Sequence, residues 1–186
     1  SMFIYNGIGK EKNIAVDFLN INKNIQIIDA MQGMSYEYAE EELWLDPSNF
    51  LMIAQNIKNG LLQYNDNLLT KDELDKKYEE FKIEISEIDV QLNLMSKNSA
   101  NTTIVVSDNL FKFLTKYNIN VISLDASNQN LNSAYVDAKR AVDNGDVDYI
   151  FVKKGEKLNG NIEDFIASND VEKLEMEMIY NLTDEQ

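Results

Sequence analysis

The stretch TIVVSDNLFKFLTKYNINVISL, residues 103–124, decides the fold class. It opens with a β-branched run, continues with apolar residues at helical spacing over 110–117, and ends in a second apolar run. Short links between alternating strands and helices are typical of βαβ units, which build a parallel sheet that binds ligands at the carboxyl ends of its strands. The alternation continues with a helix, a strand, a short helix and a closing strand, predicted over 133–143, 149–152, 162–167 and 174–179.

A long helix precedes this half of the chain. Thr70 and Glu73 have the spacing of a capping box, which marks a helix start. Apolar residues then recur at alternating steps of four and three, at Leu74, Tyr78, Phe81, Ile85, Ile88 and Leu92. The pattern predicts one helix over about residues 70–96, about 40 Å long at 1.5 Å per residue. We expect it to bury Tyr78, Phe81, Ile85 and Ile88.

The first third of the chain contains two further strand signals and one strong helix start. Apolar runs at 2–5 and 24–28 predict strands, and a helix is expected between them. Asp46 is placed to cap a helix whose first position is Pro47, the single proline of the sequence. The whole pattern predicts an α/β protein of two small lobes with mainly parallel sheets joined by one long helix. The predicted divisions are 1–69, 70–98 and 99–186.

Composition excludes several classes of function. The 186 residues carry 17 Lys and Arg against 32 Asp and Glu, and the net charge of −15 repels nucleic acid. The absence of His and Cys excludes disulfides, thiolate sites and His-based triads, so a metal site must use oxygen ligands, which favour hard ions. No apolar run approaches the length of a membrane span. No phosphate loop or nucleophile with a plausible base occurs, so we expect no enzyme.

Three segments carry a family resemblance. They are MFIYNGIGKE at 2–11, ELWLDP at 42–47 and VVSDNLFKFL at 105–114. In order and spacing they resemble the YNGLGLE, HVWLDP and VTSHDAFGYL segments of the zinc and manganese solute-binding proteins of ABC transporters. The resemblance implies a periplasmic-binding-protein-like fold of the helical-linker type. It also implies a lipoprotein on the extracellular face of the cell envelope that delivers Zn²⁺ or Mn²⁺ to a membrane permease.

The resemblance also implies candidate metal ligands. The family histidine before the tryptophan falls at Glu42, and the ligand after the serine of the second lobe falls at Asp108. The last family ligand falls in the loop after the closing strand, where Asn181 and Asp184 both remain open. These residues leave a weak site for a hard ion on oxygen donors, or they are ordinary surface acids.

Two functions from different classes remain open. The first is the receptor of a divalent-metal importer with a degenerate site, and the second is a cell-surface adhesion protein that keeps the receptor fold. Every family histidine that the chain reaches is replaced, and the resemblance places the first ligand before Ser1 and a closing helix after Gln186. A trimmed piece and a naturally short relative both fit. The uncovered strand at 2–5 predicts a homodimer through a sheet edge.

Overall fold

The computed structural model describes residues 1–7, 11–34, 43–64 and 68–177. The chain forms two units, Ser1–Asn93 and Leu94–Gln186. The boundary between them falls inside the long helix. The predicted division at residues 69 and 98 stays a prediction.

The first unit contains a parallel pair of strands. Strand β1 (Met2–Tyr5) is followed by helix α1 (Glu11–Ile21) and strand β2 (Gln26–Asp29), and β1 pairs with β2 from Met2 opposite Gln26 onward. The Phe3 ring meets Phe18 of α1 edge-on, with centroids 4.8 Å apart. This contact fastens the crossover helix to the strand pair.

Helix α2 (Pro47–Gln63) confirms the predicted start. Asp46 is its N-cap, and the carboxylate accepts a hydrogen bond from the Ser48 backbone N–H at 2.8 Å. One face of α2 packs on β2, where Ile28 lies against Gly60. The first unit also contains a small cluster of buried side chains, Ala30, Met31, Leu43 and Ile53.

Helix α3 (Leu68–Asn98) is the long helix, and it differs from the prediction in two respects. It begins at Leu68, so Thr70 lies inside it rather than at its cap, because two leucines with high helix propensity extend the first turn. Ile85 is buried, as expected, whereas Tyr78 and Phe81 are only half-buried. The Phe81 ring contacts Phe50, with ring centroids 5.4 Å apart. The predicted burial of Ile88 is wrong, since this side chain is 46% exposed. Three residues beyond Ile85, it is rotated about 60° around the helix axis to the rim of the stripe.

Helix α3 is long enough to cross a bilayer but too rich in charged residues. Within the described ranges, no helix combines the length and apolarity of a membrane span.

The second unit is built on a four-stranded parallel sheet of order β4-β3-β5-β6. The strands are β3 (Thr103–Val106), β4 (Asn120–Ser123), β5 (Tyr149–Lys153) and β6 (Glu172–Met176). The connecting helices are α4 (Leu131–Asp143) and α5 (Gly160–Asn169). The predicted helix after β3 is a 3-10 helix, Asn109–Tyr117. The predicted α/β class with parallel sheets and a long helix is confirmed.

Helix α4 lies close to the sheet because its inner face is made of alanines. Ala134, Ala138 and Ala141 follow at steps of four and three, and all three are buried. Ala138 is fully buried against the core that includes Val105 and Ile150. Small side chains at these positions allow the helix backbone to approach the strands.

Candidate metal site

The carboxyl end of β3 carries Asp108, the predicted ligand that the structure describes. The other predicted ligands, Glu42, Asn181 and Asp184, lie outside the described residues. The residues around Asp108 therefore define the candidate site.

Asp108 caps the 3-10 helix. One carboxylate oxygen, Oδ1, accepts a hydrogen bond from the Leu110 backbone N–H at 2.8 Å. Asp108 itself has extended backbone angles, φ −136° and ψ 153°, as expected of a helix N-cap residue. The local sequence, a strand followed after Ser107 by a capping Asp, fixes the position of this carboxylate at the edge of the sheet.

The second oxygen of Asp108 is held by Lys153 at the end of β5. Lys153 Nζ donates to Oδ2 at 2.6 Å. The Lys153 side chain is 24% exposed and that of Asp108 19%, so water screens this ion pair less than a surface pair. Sequence analysis missed Lys153. The parallel register reveals it, since Val106 lies opposite Phe151 and two further residues along each strand give Asp108 and Lys153.

Glu156 is fixed beside the same strand ends. Ser107, which is buried, donates from Oγ to Glu156 Oε2 at 2.7 Å, and the Lys153 backbone N–H donates to the same oxygen at 3.1 Å. Glu156 follows a turn in which Gly155 has a φ of +73°, a conformation that favours glycine. This second carboxylate thus serves to tie β3 to the turn after β5.

The end of β4 adds neutral polar groups. Ser123 Oγ donates to Asn109 Oδ1 at 2.7 Å, and Asn109 Nδ2 donates to Ser127 Oγ at 2.9 Å. Asn128 Nδ2 closes the group by donating to the Ser123 carbonyl at 2.7 Å. The strand ends of the second unit therefore carry polar oxygen atoms that are already hydrogen-bonded to other protein groups.

The described donors do not form a metal centre by themselves. Over residues 1–7, 11–34, 43–64 and 68–177, no three His, Cys, Asp or Glu side chains are grouped to hold a metal ion. Asp108 supplies an oxygen ligand of the kind that hard cations prefer, but its Oδ2 already pairs with the Lys153 ammonium group.

The family model described as "Zinc-uptake complex component A periplasmic" matches residues 1–185. The chain belongs to this ZnuA family. A search of the curated protein sequences found no significant match. Membership confirms the resemblance drawn from the three sequence segments. It makes the chain a solute-binding component of a metal ABC importer, in a family of non-enzymatic, periplasmic proteins with a membrane permease as partner.

Solved structures share the fold of this ZnuA-family protein. A Zn(II)-bound histidine-to-leucine variant of AdcAII from Streptococcus pneumoniae has a TM-score of 0.72 at 17% identity, over 95% of this chain and 69% of that one. The metal-dependent lipoprotein YcdH from Bacillus subtilis has a TM-score of 0.71 at 15% identity, over 99% and 71%. The laminin-binding protein Lbp of Streptococcus pyogenes has a TM-score of 0.73 at 16% identity, over 94% and 70%.

Proposed function

We propose that this ZnuA-family protein is the receptor of a divalent-metal importer with a weak, oxygen-coordinated site. Its ligands in this proposal are Glu42, Asp108 and either Asn181 or Asp184, with waters completing the shell of the ion. The cargo is Mn²⁺ or Zn²⁺ according to the family, and the place of action is the extracellular face of the envelope. The chain delivers the ion to a membrane permease.

The observation that carries the proposal is the placement of Asp108. Its carboxylate lies at the carboxyl end of β3, four-fifths buried, at the sheet edge where parallel α/β proteins bind their ligands. The donor chemistry sets the strength of the site. Because the sequence has no His or Cys, every side-chain ligand is an oxygen, and oxygen-only sites of few carboxylates bind transition metals weakly.

Isothermal titration with Mn²⁺, Zn²⁺ and Ca²⁺ tests this function. We expect weak binding that is lost in Glu42→Gln and in Asp108→Asn. Asp143→Asn is the matched control, because it removes one charge from an exposed ion pair with Lys139 on α4 and should bind as the parent does. Binding that survives both ligand substitutions would contradict the proposed ligand set, and sub-micromolar Zn²⁺ affinity would contradict a weak site.

The homodimer also belongs to this proposal. Strand β1 has one strand neighbour among the described residues, and its Met2 and Ile4 side chains are 36% and 40% exposed. An apolar strand edge of this kind favours pairing with a second copy. Light scattering after size exclusion should give twice the mass of the chain, and Ile4→Lys should shift it to the monomer. A monomeric parent protein at high concentration would refute the dimer.

The second candidate is a cell-surface adhesion protein that keeps the receptor fold. The ion pair between Lys153 and Asp108 favours it, because that position is electrically balanced without a metal. Adhesion to a laminin-coated surface that is unchanged by a chelator, together with no metal uptake, would support this candidate over the receptor.

A further inference from the structure

The structure assigns to Lys153 a role that goes beyond the proposed ligand set. We propose that its ammonium group is a built-in counter-ion, which competes with a divalent cation for the Asp108 carboxylate. The inference rests on the proposed function in one respect, namely that Asp108 is a ligand position. It adds the residue that determines how strongly this position accepts a cation.

The pairing of β3 with β5 places Lys153 beside Asp108, so the contact is not a chance encounter of a surface side chain with an acid. The register of β3 and β5 sets Asp108 beside Lys153, and the Ser107 backbone N–H donates to the Phe151 carbonyl at 2.9 Å just before the pair. The Lys153 backbone is fixed in turn by its N–H bond to Glu156. Both residues of the ion pair are therefore held on ordered backbone, so forming the pair costs the rotamer freedom of the two side chains but no further ordering of the backbone.

The contact between Lys153 and Asp108 Oδ2 does not by itself prevent a cation from binding, because a carboxylate oxygen has two lone pairs. The positive charge of the Lys153 ammonium group is what weakens the binding of a second cation. A divalent ion on an Asp108 oxygen would lie about 2.0–2.6 Å from it. The ammonium nitrogen is 2.6 Å from Oδ2, so the two cations would be separated by a few ångströms. At that range, in a partly buried site, like charges repel strongly enough to weaken metal affinity by about ten-fold or more.

The rest of the site offers the cation no easy alternative. Asp108 Oδ1 is engaged by the Leu110 N–H, and Glu156 Oε2 already accepts two hydrogen bonds. A metal bound at Asp108 would therefore lie close to the Lys153 ammonium group or displace it from the carboxylate. Replacing Lys153 by an uncharged residue of similar length should therefore uncover the carboxylate.

The experiment compares Mn²⁺ binding by the full chain and by Lys153→Met. Paramagnetic broadening of the Asp108 and Leu110 amide signals reports an ion at this carboxylate even when binding is weak. We expect half-maximal broadening at an Mn²⁺ concentration at least about ten-fold lower in Lys153→Met than in the parent. Lys154→Met is the matched control, since it removes the same charge one residue away, from an exposed pair with Glu177.

Two more variants test whether the effect comes from the charge of residue 153 and whether it acts at Asp108. Lys153→Arg keeps the positive charge and should behave as the parent, whereas Lys153→Met combined with Asp108→Asn should lose the gained broadening. Far-UV circular dichroism establishes that each variant is folded. Broadening at the same Mn²⁺ concentration in the parent, Lys153→Met and Lys154→Met would overturn the inference.

The outcome for Lys153 is distinguishable from the outcome for the proposed function. If the parent binds an ion in a manner that depends on Glu42 and Asp108, and Lys153→Met binds no better, the counter-ion role fails while the receptor function stands. If Lys153→Met gains an ion at Asp108 and Glu42→Gln has no effect in the parent, the counter-ion role stands and the proposed ligand set fails.

Discussion

The ion pair between Asp108 and Lys153 makes a quantitative prediction about stability. Asp108 does two things that substitutions can separate, because its Oδ1 caps the 3-10 helix and its Oδ2 pairs with Lys153. Asparagine caps a helix about as well as aspartate, so Asp108→Asn removes the charge and keeps the cap. It removes the charged partner that Asp108 provides to a partly buried ammonium group, which costs about 1–3 kcal/mol of unfolding free energy. Asp108→Ala loses the cap as well, which adds about 1 kcal/mol.

Urea unfolding followed by circular dichroism measures these differences, with equal m-values as the condition for comparing them. Lys153→Met completes a double-mutant cycle with Asp108→Asn, and we expect a coupling energy of about 1–2 kcal/mol. Hydrogen exchange of the Ser107 amide, which donates across to β5, localises the effect to the β3–β5 contact. A coupling energy near zero, or equal stability of Asp108→Asn and Asp108→Ala, would refute the assignment of two separate roles.

Three further predictions concern side chains away from the candidate site. Gly60→Ala should lower the free energy of unfolding by about 1–2 kcal/mol in urea unfolding, because a Cβ would lie 2.6 Å from the Ile28 side chain. In an Ile28→Ala background the same change should become stabilising, because the clash is gone and Ala has the higher helix propensity. Ser96→Ala should cost about 1–2 kcal/mol in the same assay, since the buried Ser96 hydroxyl donates to the Tyr117 carbonyl, and an unchanged midpoint would contradict this. Burial raises the pKa of Tyr135 above its unfolded value of about 10, so stability should fall as pH rises beyond about 10. Tyr135→Phe should lessen that fall and should not destabilise the protein at neutral pH, because the hydroxyl has no hydrogen-bond partner among the described residues.

Local chemistry explains which parts of the fold could be predicted from the sequence. The start of α2 needs only Asp46 and Pro47, and a βαβ alternation needs only short links, so both were predicted correctly. The 3-10 helix could not be distinguished from an α-helix, because nine residues are too few for the two periods to diverge clearly. Burial at the rim of a stripe depends on which element packs there, and this explains the error at Ile88.

The candidate site was predictable only in part. Asp108 followed from the family resemblance, and the oxygen-only chemistry followed from a composition without His or Cys. Lys153 could not be found in the same way, since it is 45 residues from Asp108 and the two meet only through the pairing of β3 with β5. A sequence lists the charges of a site, but strand register decides which of them neutralise each other. Glu42, Asn181 and Asp184 remain predictions.

The alanine face of α4 has a consequence for recognising distant relatives. A chain that keeps this helix at the same distance from its sheet must keep small residues at the positions of Ala134, Ala138 and Ala141, whatever ligands it has gained or lost. The choice of metal ligands depends on the cargo, whereas the helix-to-sheet distance depends on the volume of the side chains between them. A search profile weighted toward this small-residue spacing, rather than toward histidines, should therefore detect members of the family whose ligands have diverged.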